Sequence, residues 1–198
     1  LQRLTKLKTD QEVPRQIFLF SGHMIDAPNR PTPRFPAEKE SNAAQQIATA
    51  LKNLGAGPQD WALTQGACGG DLLFTEACQQ LGVKVQWLQP FDETDFIQKS
   101  VVCYSAAWRT RYLSTRAKLA FSMRSAPQAL GLIPTDSDPY ERCNLWLLYS
   151  ALAFGIQKVL FICLCDGGGG DGPGGTAHMY NEVKRRTGYV THIDTRTL

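Results

Sequence analysis

A chain of 198 residues is long enough for one well-buried domain and short for two. A hydrophobic share of 43% and a charged share of 20% exclude a disordered or fibrous protein, and a net charge of +3 is too small to argue for nucleic acid or an acidic membrane surface. No run reaches the ~18 apolar residues of a membrane span, and the basic start lacks the apolar centre of a signal peptide.

The chain starts at Leu1 without an initiator Met, so the expectation is a domain cut from a longer protein, with residues 1–15 as tether and 16–198 as a single domain. An apolar run at 16–21 (QIFLFS) predicts the first strand. Residues 38–54 then repeat Ala and Leu at helical spacing up to Gly55, a C′ glycine. A strand at 61–64, a helix at 71–81 ending before Gly82 and a strand at 83–88 (VKVQWL) follow. Residues 93–133 carry weaker patterns: one or two helices and a further strand near 118–123 or 129–133. Asp138 as N-cap and Pro139 at the first helical position open a helix over 138–154. A strand at 159–164, a glycine loop, a helical stretch and a last strand at 189–193 close the chain. Strands alternating with helices predict a Rossmann-like, doubly wound α/β fold: a mainly parallel sheet with helices on both faces.

Open parallel sheets bind ligands outside the carboxyl ends of their strands, near a reversal of strand order. Four such ends carry unusual chemistry here. The first strand ends in Ser21-Gly22-His23-Met24-Ile25-Asp26, the second in Gln65-Gly66-Ala67-Cys68-Gly69-Gly70-Asp71, the third in Pro90-Phe91-Asp92-Glu93, and the fifth in Asp166 and the glycine loop up to Gly174-Gly175-Thr176. Glycine lets the backbone approach a ligand, and the first turn of a helix offers unpaired N–H groups, so the glycine loops can seat a phosphate; plain surface turns are the rival reading.

Asp71 is expected to cap its helix, to accept from ribose hydroxyls, or both. His23 is either an acid or base, or a structural hydrogen-bonder. The proline-stiffened arm from Pro28 to Pro36 places Arg30 or Arg34 on a phosphate, or merely solubilises. Phe91, beside Pro90, faces a nucleobase or packs in the core; Glu93 or Asp95 reaches sugar hydroxyls, and Asn144 hydrogen-bonds a ligand. The glycine spacing lacks both G-x-G-x-x-G and the Lys-Ser/Thr of a P-loop, which disfavours ordinary dehydrogenases and nucleoside triphosphatases.

The cysteines Cys68, Cys78, Cys103, Cys143, Cys163 and Cys165 form no CxxC pair. Reduced thiols in a cytoplasm are expected. Cys163 and Cys165 share one face of a strand and are read as buried structural thiols rather than a metal pair, so no metal and no cofactor are expected.

Gln65-Gly66-Ala67-Cys68-Gly69-Gly70-Asp71-Leu72-Leu73-Phe74 resembles the G-G-A-R-G-A-D motif and following apolar helix of the SLOG superfamily, which unites DNA-processing proteins of natural transformation with LOG phosphoribohydrolases. Gly66, Ala67, Gly69 and Asp71 match, while Cys68 stands where arginine is usual. With Ser21 to Asp26, Arg34-Phe35-Pro36, Leu88-Gln89-Pro90-Phe91 and Asp166…Gly172-Pro173-Gly174-Gly175-Thr176, the resemblance covers most of residues 16–194. It points to a bacterial branch found beside TPR, cyclase or other signalling modules. A Rossmann-like domain that senses or processes a nucleotide-derived small molecule is what it implies.

Pro173-Gly174-Gly175-Thr176 is also similar to the P-G-G-x-G-T-x-x-E motif of LOG enzymes, whose glycines hold phosphate and whose glutamate serves glycosidic cleavage. Asn181 stands where that glutamate belongs, and Glu182 comes one residue late, turned about 100° around the helix. Asp26, Asp71, Glu93 and Asp166 are the remaining carboxylates for such chemistry. The leading expectation is therefore a sensor that binds a nucleotide-like small molecule and reports to a neighbouring domain, with a homo-oligomer left open. One alternative is an N-glycosidase or phosphoribosyl hydrolase. A second is single-stranded DNA binding through Arg109, Arg111 and Arg116, although nucleic acid is not the expected partner.

Overall fold

The computed structural model describes residues 12–102, 104–168 and 174–198. Six strands form one all-parallel sheet: β1 (Ile17–Gly22), β2 (Trp61–Thr64), β3 (Lys84–Gln89), β4 (Arg124–Ser125), β5 (Val159–Cys165) and β6 (Val190–Asp194), in the order β4-β3-β2-β1-β5-β6. The helices are α1 (Glu40–Asn53), α2 (Gly70–Gln80), α3 (Glu93–Ser100), α4 (Ala107–Arg116), α5 (Ala126–Leu130), α6 (Pro139–Leu152) and α7 (Thr176–Arg186). The Rossmann-like α/β architecture expected from the sequence is the one observed.

Burial on both faces explains the unbroken apolar run of β1, because a central parallel strand has no solvent side. Successive side chains alternate between two cores. Phe18 and Phe20 join Ile47, Leu51, Phe74, Trp87 and Tyr112 under α1, α2 and α4, whereas Ile17 and Leu19 join Leu147, Phe161, Met179 and Val183 under α6 and α7. Each fully buried Phe or Leu of this kind contributes about 1.5–3 kcal/mol. Gly55 and Gly82 take positive φ just past α1 and α2, as C′ glycines do. Asp138 accepts from the Glu141 N–H at 2.8 Å and caps α6, with Pro139 following it.

The segment 93–133 departs from expectation. Among the described residues it holds three helices, and its strand is Arg124–Ser125, between the two places expected. Residues 129–133 are instead the end of α5 and the turn after it. Of the expected tether, residues 1–11 lie outside the described residues, while Arg15 forks onto the buried carboxylate of Asp60 at 2.9 and 2.6 Å. Among the described residues no helix is long and apolar enough to cross a membrane.

Candidate functional site

The chain leaves β1 toward β2 on one side and returns to β5 on the other, so strand order reverses at β1. Loops there diverge to opposite faces and open a crevice. A cleft of about 390 Å³ occupies that crevice. Ser21, Gly22, His23, Arg34, Ala67, Asp71, Asn144, Gly174, Gly175 and Thr176 line it, all of them residues singled out in the sequence. Phe20, Met24, Gln65, Ser100, Asp138 and Tyr140 complete the described lining. Met24 and Gln65 lie in the strand-end loops quoted from the sequence and Asp138 was read there as an N-cap, whereas Phe20, Ser100 and Tyr140 are types ordinary for a core or helix and are disclosed only by the fold.

The second loop is not an open cradle of N–H groups. Gly66 and Ala67 donate to Asp71 Oδ2 at 3.2 and 3.3 Å, Cys68 donates to the Ser100 carbonyl at 2.8 Å, and Gly70 to the His23 carbonyl at 3.0 Å. The expected phosphate seat is thus corrected: Asp71 itself supplies the anion that these amides hold. Nor does Asp71 cap α2, since Gly69 is the N-cap and Asp71 lies in the first turn, reaching back. Gly66 and Gly69 face protein rather than ligand. A Cβ on Gly66 would lie 2.7 Å from the Trp87 ring, and one on Gly69 would lie 2.6 Å from the Ile25 nitrogen. Burial pushes the Asp71 carboxyl up to about 6 against the opposing pull of the Ala67 and Gly66 N–H groups. A carboxyl of that kind exchanges protons near neutrality.

His23 is almost wholly buried at the end of β1, and its N–H donates to the Leu164 carbonyl at 2.9 Å. Its Nε2 lies 3.1 Å from Asp166 Oδ1 and 3.2 Å from the Asp166 N–H. Asp166 does not line the cleft; it stands behind His23 and orients the ring. Burial works to raise the Asp166 carboxyl, but the Gly168 N–H, the His23 ring and the Arg34 charge outweigh it and hold the group below its ordinary value.

Asp26 serves the arm. Its Oδ2 accepts from the N–H groups of Arg34 and Phe35, both at 2.7 Å, and its Oδ1 lies 3.4 Å from Arg30 Nε. This clamp sets Arg34 into the cleft and keeps Arg30 on its own loop, where it also donates to the Thr32 carbonyl. Of the two arginines proposed for a phosphate, Arg34 alone lines the site.

The opposite wall comes from α6 and α7. Asn144 accepts from Gln65 Nε2 at 2.9 Å and donates to the Gly174 carbonyl at 2.7 Å, tying β2, α6 and the start of α7 together. Its first job is therefore to position the wall. Pro90 is buried and Phe91 is turned away, packed edge-on against Tyr140 at 5.3 Å under the Lys99 ammonium. Tyr140, whose hydroxyl meets Ser100 Oγ at 3.1 Å, lines the cleft where Phe91 does not. Glu93 is likewise displaced from the expected site: it pairs with Arg116 at 2.6 Å and accepts from the Tyr112 hydroxyl at 3.1 Å. Glu182 pairs with Arg185 and Arg186 on the outer part of α7. The glycine-loop residues 169–173 lie outside the described residues. Compared with protein-family models and with curated proteins, the chain matches none.

Proposed function

We propose that the cleft binds a nucleotide or nucleotide-derived small molecule and that the chain is a SLOG-type sensor domain acting in the cytoplasm, its occupancy read by a neighbouring domain or a second copy. One observation carries the reading: Arg34, the first turn of α7 and the buried Asp71 carboxyl converge on a single cleft at the reversal of strand order. A guanidinium and a helix N-terminus suit a phosphate, and a carboxyl suits ribose hydroxyls. About 390 Å³ sits at the lower end of small-molecule sites and suits a mononucleotide better than a dinucleotide. Thermal-shift titration with nucleoside monophosphates, cyclic nucleotides and NAD derivatives tests this: a monophosphate is expected to raise the Tm, and silence across the panel overturns the reading.

A second reading, N-glycosidic cleavage, is favoured by Asp71 alone, because a cleft carboxyl with a pKa of about 6 can act as acid or base near neutrality. Release of free base from nucleoside monophosphates, abolished in Asp71→Asn, is the expected outcome. Single-stranded DNA binding has less support. Arg111 is neutralised by Glu76 and Glu40, and Arg116 by Glu93.

A further inference from the structure

The proposed ligand chemistry leaves two thiols unused. Cys163 and Cys165 project from the same face of β5, with Cys163 Sγ donating toward Cys165 Sγ at 3.5 Å. Neither is paired in a disulfide. His192 of β6 brings Nε2 to 3.3 Å from Cys165 Sγ and 3.0 Å from the Cys165 carbonyl, a neighbour that sequence spacing did not disclose. Both are buried, but Cys165 is 5% exposed at the end of its strand, one residue before the partly exposed Asp166, whereas Cys163 is fully enclosed. The pair is thus graded: an outer sulfur beside an imidazole, and an inner sulfur in contact with it.

We propose that Cys165 and Cys163 form a hydroperoxide-reactive dithiol site, with Cys165 as the attacking sulfur and Cys163 as the resolving one. The thiolate of Cys165 attacks the distal oxygen of the hydroperoxide; the O–O bond breaks, Cys165 becomes a sulfenic acid, and the alkoxide or hydroxide leaving group takes a proton from solvent as alcohol or water. Cys163 then attacks the Cys165 sulfur. The S–S bond forms, the S–O bond breaks, and the departing hydroxide takes the Cys163 proton as water. Two thiols lose two electrons and two protons in all, and the hydroperoxide accepts them.

The surroundings agree with those roles. Cys165 is pulled down to about 5, chiefly by the hydrogen bond from Cys163 and, against the cost of burial, by the Gly167 N–H and the His192 and His23 rings. Cys163 is held well up by that same hydrogen bond and by burial, and burial also keeps Cys78 protonated. A thiolate is the reactive form, so the outer sulfur leads. Residues two apart on an extended strand stand roughly 6.6 Å apart at Cα. That is near the upper end of the Cα span a disulfide bridges, and the Cβ atoms must close to about 3.5–4.5 Å, so the end of β5 has to bend as the bond forms, under strain that a dithiol reductant relieves.

The test treats the native chain with hydrogen peroxide, blocks free thiols and maps peptides by mass. The expected result is loss of two free thiols per chain as a Cys163–Cys165 bridge, reversed by dithiothreitol, before the other cysteines react. In Cys163→Ser the bridge is absent and dimedone labels Cys165; in Cys165→Ser neither bridge nor label forms. Equal oxidation of all the cysteines, or a native protein whose two thiols survive peroxide that oxidises the urea-unfolded chain, overturns the proposal. The readout uses no nucleotide, so it stands or falls apart from the reading of the cleft.

Discussion

His23 and Asp166 meet across the ends of β1 and β5, and the imidazole Nε2 touches Asp166 twice, at the carboxylate oxygen (3.1 Å) and at the backbone N–H (3.2 Å). One nitrogen cannot serve both. Donation to the carboxylate needs a proton on Nε2, and acceptance from the amide needs its lone pair. The ionised carboxylate favours the Nε2–H tautomer. Asp166→Ala leaves only the amide and should move His23 toward the Nδ1–H form, read from the imidazole ¹⁵N shifts. An unchanged tautomer in the variant would mean that Asp166 does not orient the ring.

Asp71 makes stability depend on pH in an unusual direction for a carboxyl. Its folded-state pKa of about 6 stands above the ordinary 3.8, so the native chain holds the proton more tightly than the unfolded one. The contribution is fully present below about pH 4 and is lost as pH rises through about 6, a change of about 3 kcal/mol. Asp71→Asn cannot titrate. Urea unfolding at stepped pH should therefore show wild type losing about 2–3 kcal/mol relative to this variant between pH 4 and 7. A difference that stays flat would show that burial leaves the carboxyl's pKa unraised.

These two carboxylates show how far the sequence could be read. Strands with both faces buried announce themselves as apolar runs, and their ends mark where a site can lie; eight of the lining residues were visible that way, with Arg34 read from the arm and Asn144 from the helix before β5. Direction was not. Asp26 and Glu93 are the right residue type near the right strand ends, yet Asp26 turns to the amides of Arg34 and Phe35, and Glu93 turns to Arg116, partners fixed only by the folded path of the arm and of α4. Phe91 is absent from the lining for the same reason: its edge-on contact with Tyr140 is tertiary, and it is Tyr140 that lines the cleft. The strand β4 has just two residues, one of them buried, and so carries no periodic signal at all.

Gly69 is required by geometry that no ligand imposes. Its φ of +85° is strained for any side chain, and a Cβ would meet backbone atoms of Ile25 and His23 at 2.6 and 2.9 Å. Gly69→Ala should therefore cost more than about 3 kcal/mol, summing left-handed strain and overpacking. Gly131 has φ +76° and ψ −171° with open space around the added carbon, so Gly131→Ala should cost about 1–3 kcal/mol from backbone strain alone. Urea denaturation of both variants separates the two terms, and equal losses would count against the close approach of the second loop to the first.

Arg34 separates phosphate recognition from the rest of the ligand. Removing a charge-assisted hydrogen bond costs about 1.5–3 kcal/mol, which is roughly ten- to hundredfold in affinity. Arg34→Ala should weaken a nucleoside monophosphate by that factor and leave the corresponding nucleoside unaffected, as measured by calorimetry. Equal weakening of both would place the arginine on the sugar or base, or in the framework of the arm.

Gly174 joins the two helices of one cleft wall, α6 and α7, most directly. A Cβ there would stand 2.5 Å from Asp138 Oδ1, the Glu141 nitrogen and Tyr140 Cβ, atoms of the capped start of α6 that cannot swing aside. Gly174→Ala must push the leading residues of α7 off α6 and stretch the 2.7 Å bond from Asn144 to the Gly174 carbonyl. A stability loss of about 1–3 kcal/mol is expected, with nucleotide affinity falling more than the loss of folded protein explains. Gly188→Ala, beyond the far end of α7 with φ +71° and open space, is the control: some stability is lost and binding is unchanged. Binding that survives Gly174→Ala would mean that the ligand does not need α6 and α7 in contact, and would move the anion seat away from the first turn of α7.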